Sequence, residues 1–427
     1  VYNQLRHGQW IEQKAIAVEA KIAPVIKRIE RKVDLLQWKV LAAYRDHGVS
    51  ELHLHSSTGY GYDDLGRETF EKVFASLFGA EMALVRPNII SGTHAITACL
   101  HGVLRPGDEL IYLTGRPYDT LHQVIGKERD GSGSLADYGI AYKEIPLSPT
   151  GQVDWEAFGG AVSERTRLIG IQRSRGYADR PSFTIADIRE MVERIRAIRP
   201  DLIIFVDNCY GEFVEDMEPT HVGVDLIAGS LIKNPGGGLA KSGGYIAGKA
   251  QWVERAASRL VAPGIGVEGG ATHGYMRDYY QGLFLAPHVV GEALKGVVFA
   301  AAFLEELGFK TTPSWEETRT DIIQQIYLGS PELLIAFCQG IQSASPIDAH
   351  ILPVPAAMPG YQDEVIMAAG TFVQGASIEL SADGPLRPPY IVFMQGGLTY
   401  SHVKIGIVQA LDHMAGTGHI SLEGGHE

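Results

Sequence analysis

The stretch IIFVDNCYGEF, residues 203–213, decides how the rest of this chain is read. Ile203 to Val206 is a short β-branched and aromatic run without polar alternation, the pattern of a strand buried on both faces of a parallel sheet. It ends in Asp207, so the strand delivers a carboxylate to its C-terminal edge, where open α/β sheets bind their ligands. The next apolar run, Leu226 to Leu231, ends in Lys233 ahead of a Pro/Gly turn, and this brings an amine to the same edge.

An acid and a lysine at one sheet edge are what pyridoxal phosphate requires. Its aldehyde bonds to a lysine, and its ring withdraws electrons only while a carboxylate keeps the pyridine nitrogen protonated. Taken singly, Asp207 reads more readily as a turn or helix cap and Lys233 as a solvated loop lysine. Their pairing at consecutive strand ends favours the cofactor.

Composition agrees with an enzyme of this size. A chain of 427 residues exceeds one ordinary core and suits a large domain with a smaller one. Hydrophobic content of 45% and charged content of 20% are ordinary for a globular protein, and the 50 glycines are spread through turns of βα type. A net charge of −13 argues against nucleic acid as the main partner; the one basic cluster, KRIERK at 27–32, reads as a solvated helix face. Cys99, Cys209 and Cys338 lie far apart with no CxxC spacing, which leaves no disulfide framework or zinc knuckle and suits a reducing cytoplasm. The longest apolar stretch, near Gly296 to Leu304, falls short of the roughly 20 residues that span a bilayer, so no membrane partner is expected. No cluster has metal-ligand spacing; His53 and His55 alternate as on a strand and read as partly buried polar residues.

Along the chain, residues 12–47 carry helical periodicity, with an expected interruption at Pro24 and an apolar stripe that a partner subunit would cover. Strand patterns then alternate with helices: MALVRP (82–87), DELIYL (108–113), AYKEIPL (141–147), RLIGIQ (167–172), the Asp207 and Lys233 strands, and GGYIAG (243–248). This alternation predicts a mostly parallel sheet with right-handed crossovers. The reading divides the chain into a helical arm (1–49), a large cofactor-binding domain (50–307) that includes a connecting helix at 288–307, and a smaller α/β domain (308–427). Only the last few residues, GGHE, read as a tail.

Ser91-Gly92-Thr93 follows a strand and opens a helix, so the Gly92 and Thr93 amides sit where an anion is favoured; a plain Ser91 cap is the alternative. Ser230 can add a hydroxyl. Tyr118 follows a strand end, where an aromatic side chain can cover a planar ring. Tyr60, Tyr62 and Arg67 lie on a Gly-rich loop, and the Arg67 guanidinium suits a phosphate.

Five segments in order, GYGYDDLGRETFEKVFASLFGAE (59–81), SGTHAI (91–96), GDELIYLTGRPYDT (107–120), VDNCYGEF (206–213) and SLIK (230–233), resemble the motif series of the Cys/Met-metabolism pyridoxal-phosphate enzymes. IQRSRGYADRPSFTI (171–185), SLIKNPGGGLAKSGGYIAG (230–248) and ASIELSADGPLRPPY (376–390) bring the whole chain close to the methionine gamma-lyase-like family, often labelled cystathionine beta-lyase family proteins involved in aluminium resistance. The resemblance implies the aspartate aminotransferase-like fold type I, an α/β fold with a large, mostly parallel seven-stranded sheet and a smaller C-terminal domain. It also implies Lys233 as the cofactor lysine, Asp207 as partner of the pyridine nitrogen and Tyr118 as the stacking ring. Ser91, Gly92, Thr93 and Ser230 become the phosphate cradle, and Tyr62 and Arg67 reach the phosphate of a neighbouring subunit in a homodimer or homotetramer. The series departs from the wider superfamily at Ile232, where threonine is usual, at Cys209 in Asp-Asn-Cys, and at QRSRGY (172–177), which replaces a Pro-containing loop.

The expected reaction is α,β- or α,γ-elimination from a sulfur amino acid such as cystathionine, methionine or cysteine, with Lys233 as base and Tyr118 as candidate acid. Arg387 is the first candidate for the substrate carboxylate, with Arg173 and Arg175 second. Lys241 is a rival cofactor lysine, placed less suitably in a Gly-rich segment. An aldolase or aminotransferase shares every cofactor residue, and a non-catalytic pyridoxal-phosphate-binding regulator shares the fold. A nicotinamide dehydrogenase needs a GxGxxG opening a helix after the first strand, and GGGLAKSGG (236–244) has other spacing and context.

Overall fold

The computed structural model describes residues 2–358 and 361–422; the GGHE tail lies outside them. Every strand read from the first part of the sequence is present: β1 (Met82–Arg86), β2 (Glu109–Tyr112), β3 (Ala141–Glu144), β4 (Thr166–Gln172), β5 (Ile203–Asp207), β6 (Leu226–Ser230) and β7 (Gly244–Gly248). They form one sheet in the order β1-β7-β6-β5-β4-β2-β3. β3, β2, β4, β5 and β6 are paired in parallel, and β7 is antiparallel to both of its neighbours. β5 and β6 are buried along their whole length, as unalternating apolar runs require.

The chain divides into two compact units, residues 37–284 and residues 1–36 with 285–427. In the larger unit one apolar cluster unites Leu84, Leu110, Leu168, Phe205 and Ile246 of the sheet with Ile96, Cys99 and Leu100 of the helix Gly92–Val103. A separate aromatic group joins Phe74, stacked on Phe78 at 4.0 Å, to Tyr245 of β7 at 4.9 Å. The smaller unit carries an antiparallel sheet of β8 (Lys310–Thr312), β9 (Ile323–Tyr327), β10 (Val365–Ala368), β11 (Ser381–Pro385) and β12 (Ile391–Gln395), in the order β10-β11-β12-β9-β8.

These units divide the chain elsewhere than the three segments read from its sequence. Ile11, Ala15, Val18, Ile22 and Val25, the stripe of the first helix, pack into the core of the smaller unit with Val297, Phe299, Phe303 and Leu304. Of the stripe that was expected to need a partner subunit, Ile22, Leu36, Val40 and Ala43 are therefore buried within this chain, while Ile16 is 61% exposed. The expected break at Pro24 is also absent: the helix Gly8–Asp46 runs through it, and Met276–Glu306 likewise runs through Pro287, so it begins well before residue 288. An interior proline removes one backbone bond, and the packing of Ile22 and Val25 offsets that loss at Pro24. Met276–Glu306 is the one helix among the described residues long and apolar enough to cross a membrane, but 72% of its most apolar window is buried inside the protein.

Candidate active site

The C-terminal ends of β4, β5 and β6 and the start of the helix Gly92–Val103 surround a cavity of about 200 Å³. Seven residues singled out from the sequence line it together: Ser91, Gly92, Thr93, Tyr118, Asp207, Ser230 and Lys233. Parallel pairing explains the convergence, because Gln172 is level with Asp207 and Asp207 with Ala228, so successive strands end at one edge.

At the helix start, the Ser91 side chain accepts from the His94 amide, as a cap does, and Thr93 Oγ1 lies 3.0 Å from Thr120 Oγ1. A side-chain carbon on Gly92 would sit 3.3 Å from Cys209 Sγ and 3.6 Å from Ser230 Cβ, so only glycine leaves the backbone open there without crowding. Amides at a helix start beside the hydroxyls of Thr93, Thr120 and Ser230 are the kind of surroundings that favour an anion. Burial raises the Asp207 carboxyl above its ordinary range, opposed by the Lys233 charge and by the Cys209 amide, which donates to Oδ1 at 3.2 Å. Burial alone would lower the Lys233 amine; Cys209, Tyr210 and Asp207 reverse this and hold it above the ordinary lysine value. An enclosed lysine, an enclosed carboxylate and an anion site in one cavity meet the three demands of pyridoxal phosphate.

The candidate arginines all have partners within this chain. Arg67 is buried, and its guanidinium donates to the carbonyls of Gly61 (2.5 Å), Gly270 (2.8 Å) and Glu268 (3.2 Å). Within this chain it ties two loops together. Arg173 is also fully buried, donating to Asn208 Oδ1 at 2.8 Å and pairing with Glu215 at 3.1 Å and Glu218 at 3.3 Å. Arg175 is buried with its amide and Nε directed to Ser182 Oγ. Both lie outside the lining of this cavity, and Arg173 belongs to a buried ion cluster. Arg387 is half exposed in the smaller unit and pairs with Asp363 at 2.9 Å. Tyr62 is exposed, stacks on Tyr60 at 5.5 Å and borders a different hollow. Lys241 is a surface residue paired with Asp278 at 2.9 Å. His53 sits on the short 3-10 turn Glu51–Leu54, not on a strand, and receives the Ser50 amide.

Several lining residues were not anticipated. Gln172, Ser174 and Gly176 follow β4, Thr120 and Leu121 open a five-residue helix, and Cys209, Tyr210 and Ile232 flank the two central residues. The rule that located Asp207 also applies to Gln172, since β4 pairs with β5; Thr120 carries no comparable signal.

Two residues after Tyr210, Glu212 is fully buried and accepts from the Tyr245 hydroxyl at 2.7 Å. Burial, with Glu218 adding to it, pushes its carboxyl up to about 8. An unfolded chain loses this proton near the ordinary glutamate value while the folded chain retains it, so stability falls as pH rises from there to about 8. Glu212→Gln removes that dependence. In thermal melts the variant is expected to gain on the wild type between pH 5 and 8, by on the order of 3 to 4 kcal/mol. An unchanged difference across that range would contradict the assignment.

A lysine and a carboxylate at the C-terminal edge of an open sheet, with a phosphate site at a helix start, define a pyridoxal-phosphate enzyme of fold type I. The methionine gamma-lyase family profile matches residues 11–415. An uncharacterized protein, YnbB, of Bacillus subtilis (strain 168) is 57% identical over 415 residues, 97% of this chain and 99% of its own length. A solved Listeria monocytogenes structure, described as a candidate cystathionine beta-lyase involved in aluminum resistance, is 54% identical with a TM-score of 0.92, covering 94% of this chain and 99% of that one. A carbon-sulfur lyase involved in aluminum resistance from Clostridium novyi NT is 47% identical with a TM-score of 0.91, covering 95% and 96%. The chain belongs to the methionine gamma-lyase family, and it is a pyridoxal-phosphate-dependent carbon–sulfur lyase.

Proposed function

We propose that this lyase eliminates a sulfur leaving group from a cystathionine-, methionine- or cysteine-like amino acid, at the β- or γ-carbon, with Lys233 as cofactor lysine and base. The observation that carries the reading is the enclosure of Lys233 and Asp207 in one cavity with the Gly92–Thr93 helix start. The bound cofactor supplies an electron sink for negative charge at the substrate Cα. Asp207 would hold a proton on the pyridine nitrogen, the Gly92 and Thr93 amides with Ser230 would hold the phosphate, and Tyr118 would lie against the ring. The Lys233 amine would serve as the base for the Cα proton.

Product analysis tests the reaction class. Incubation with L-cystathionine, L-cysteine and L-methionine is expected to release a keto acid together with a thiol or sulfide from one of them. An amino-group transfer to an added keto acid, or an aldehyde from a hydroxy amino acid, without thiol release would replace elimination by the aminotransferase or aldolase reading.

Tyr118 is proposed to protonate the departing sulfur. Tyr118→Phe keeps the stacking ring and is expected to slow elimination by about 10²-fold while leaving the cofactor absorbance in place; a full elimination rate would remove the acid role. Arg387 is proposed to bind the substrate carboxylate by exchanging Asp363 for it. Arg387→Ala is expected to raise KM about tenfold or more with a smaller change in kcat, and an unchanged KM would exclude it.

A cytoplasmic homodimer or homotetramer with shared sites completes the proposal. It is supported by three cysteines that are all free and buried, and by exposed apolar side chains in the larger unit, among them Trp38 (69% exposed) and Ile90 (74%), of the kind a second copy would cover. Tyr62 is the residue proposed to reach the neighbouring cofactor phosphate.

A further inference from the structure

The turn after Asp207 contains two non-glycine residues in the left-handed region, Tyr210 (φ 73°) and Phe213 (φ 59°). Bulky L residues rarely adopt this conformation, and it persists where surrounding contacts enforce it. Here the enforcing contact is Asn234, fully buried and next to the cofactor lysine in sequence, whose Nδ2 donates to the carbonyls of Tyr210 (3.0 Å) and Glu212 (2.9 Å). The Asp207 turn and the Lys233 turn are thereby joined. The result is a Tyr210 side chain whose ring centroid lies 3.8 Å from Lys233 Nζ and whose hydroxyl is hydrogen-bonded to the same amine.

We propose that Tyr210 is a further positioning residue: its ring is the surface on which the Lys233 amine rests whenever that amine is not bonded to the cofactor, and Asn234 holds the ring there. A ring face attracts an ammonium group more than a neutral amine, and the attraction strengthens in an enclosed site. The other groups facing the amine are Asp207, Cys209 and Glu212, with Arg180 acting on Asp207. The ring fixes where the amine waits, whereas the carboxylate fixes only its charge. The inference rests on the reading of Lys233 as the cofactor lysine.

The test uses cofactor-free full-length protein and measures acylation of Lys233 by trace acetic anhydride at pH 8–9, read by peptide mass spectrometry. Tyr210→Leu is expected to raise the rate by about 2- to 30-fold, because losing the ring enlarges the neutral-amine fraction. Tyr210→Phe keeps the ring but loses the hydroxyl contact, and is expected to label closer to the wild type than Tyr210→Leu does. Equal labelling in all three proteins, or equal increases in both variants, would overturn the proposal; the second result would assign the effect to the hydroxyl. Should the leucine variant fail to fold, reductive methylation of the wild type with ¹³C-formaldehyde decides instead. The Lys233 methyl signal, identified by its loss in Lys233→Ala, is expected upfield from ring current, and an unshifted signal would overturn the contact. Reconstitution with pyridoxal phosphate, followed in the same preparations, separates the two claims. A wild type that takes up no cofactor but shows the ring contact defeats the cofactor reading alone, and one that takes it up without the contact defeats this inference alone.

Discussion

Replacing Lys233 with alanine is expected to lower elimination by at least about 10³-fold for every substrate the wild type accepts. Two contributions are lost together. The side chain no longer bonds covalently to the cofactor, and no other amine is placed to take the Cα proton; general-base catalysis alone is worth about 10²–10⁴-fold. The lysines are not interchangeable here, because Lys241 is mostly exposed and paired with Asp278. Added small primary amines are expected to restore part of the rate in Lys233→Ala, as they can replace the missing base but not its tether. Loss of no more than tenfold would mean that another residue is the base.

Asp207→Ala is expected to reduce kcat by about 10²–10³-fold with a smaller effect on cofactor retention. A preorganised charge aimed at the position where charge develops is worth roughly that much, and the contact is buried, where water cannot replace it. Burial raises the Asp207 carboxyl, so the folded protein bears a cost for keeping it. The same variant also removes a partner of the buried Lys233 amine, so it is expected to fold with a melting temperature close to the wild type while losing activity. A variant with lost activity and a collapsed melting temperature would indicate a structural role, and one with intact kcat would remove Asp207 from the mechanism. The rate is to be measured at saturating pyridoxal phosphate so that weaker cofactor binding does not imitate the loss.

Much of the larger unit is legible in the sequence because its signals are local. A buried parallel strand must be apolar throughout and must stop where a polar residue meets the edge, so IIFVD and LIAGS declare both their positions and their ends. The helix start at Ser91 is equally visible, since capping needs a hydroxyl at one place. Elsewhere the determinants are distant. Pro24 reads as a break, and only the tertiary packing of its helix keeps it continuous; the second long helix likewise begins at Met276, well before residue 288. The first helix reads as an arm in search of a partner, because its sequence does not disclose that Phe299 and Phe303 will cover it.

The arginines show the same limit at the site. Arg67, Arg173 and Arg387 look alike in sequence, each beside Gly, Ser or Pro, yet the first binds carbonyls, the second a pair of glutamates and the third a surface aspartate. Which partner an arginine takes depends on residues far along the chain, such as Gly270 for Arg67 and Glu218 for Arg173. Tyr210 was within the stretch that located Asp207, but its approach to Lys233 follows from a left-handed backbone that tyrosine does not signal.

The visible absorbance of the purified protein, after incubation with pyridoxal phosphate and removal of the excess, tests the central claim most directly when set beside Lys233→Ala. The wild type is expected to show a yellow band that borohydride bleaches while fixing the cofactor mass to the peptide containing Lys233, and the variant is expected to lack that adduct. A wild type that stays colourless after reconstitution, or that carries the fixed cofactor on another lysine, would contradict the assignment of this cavity as the active site.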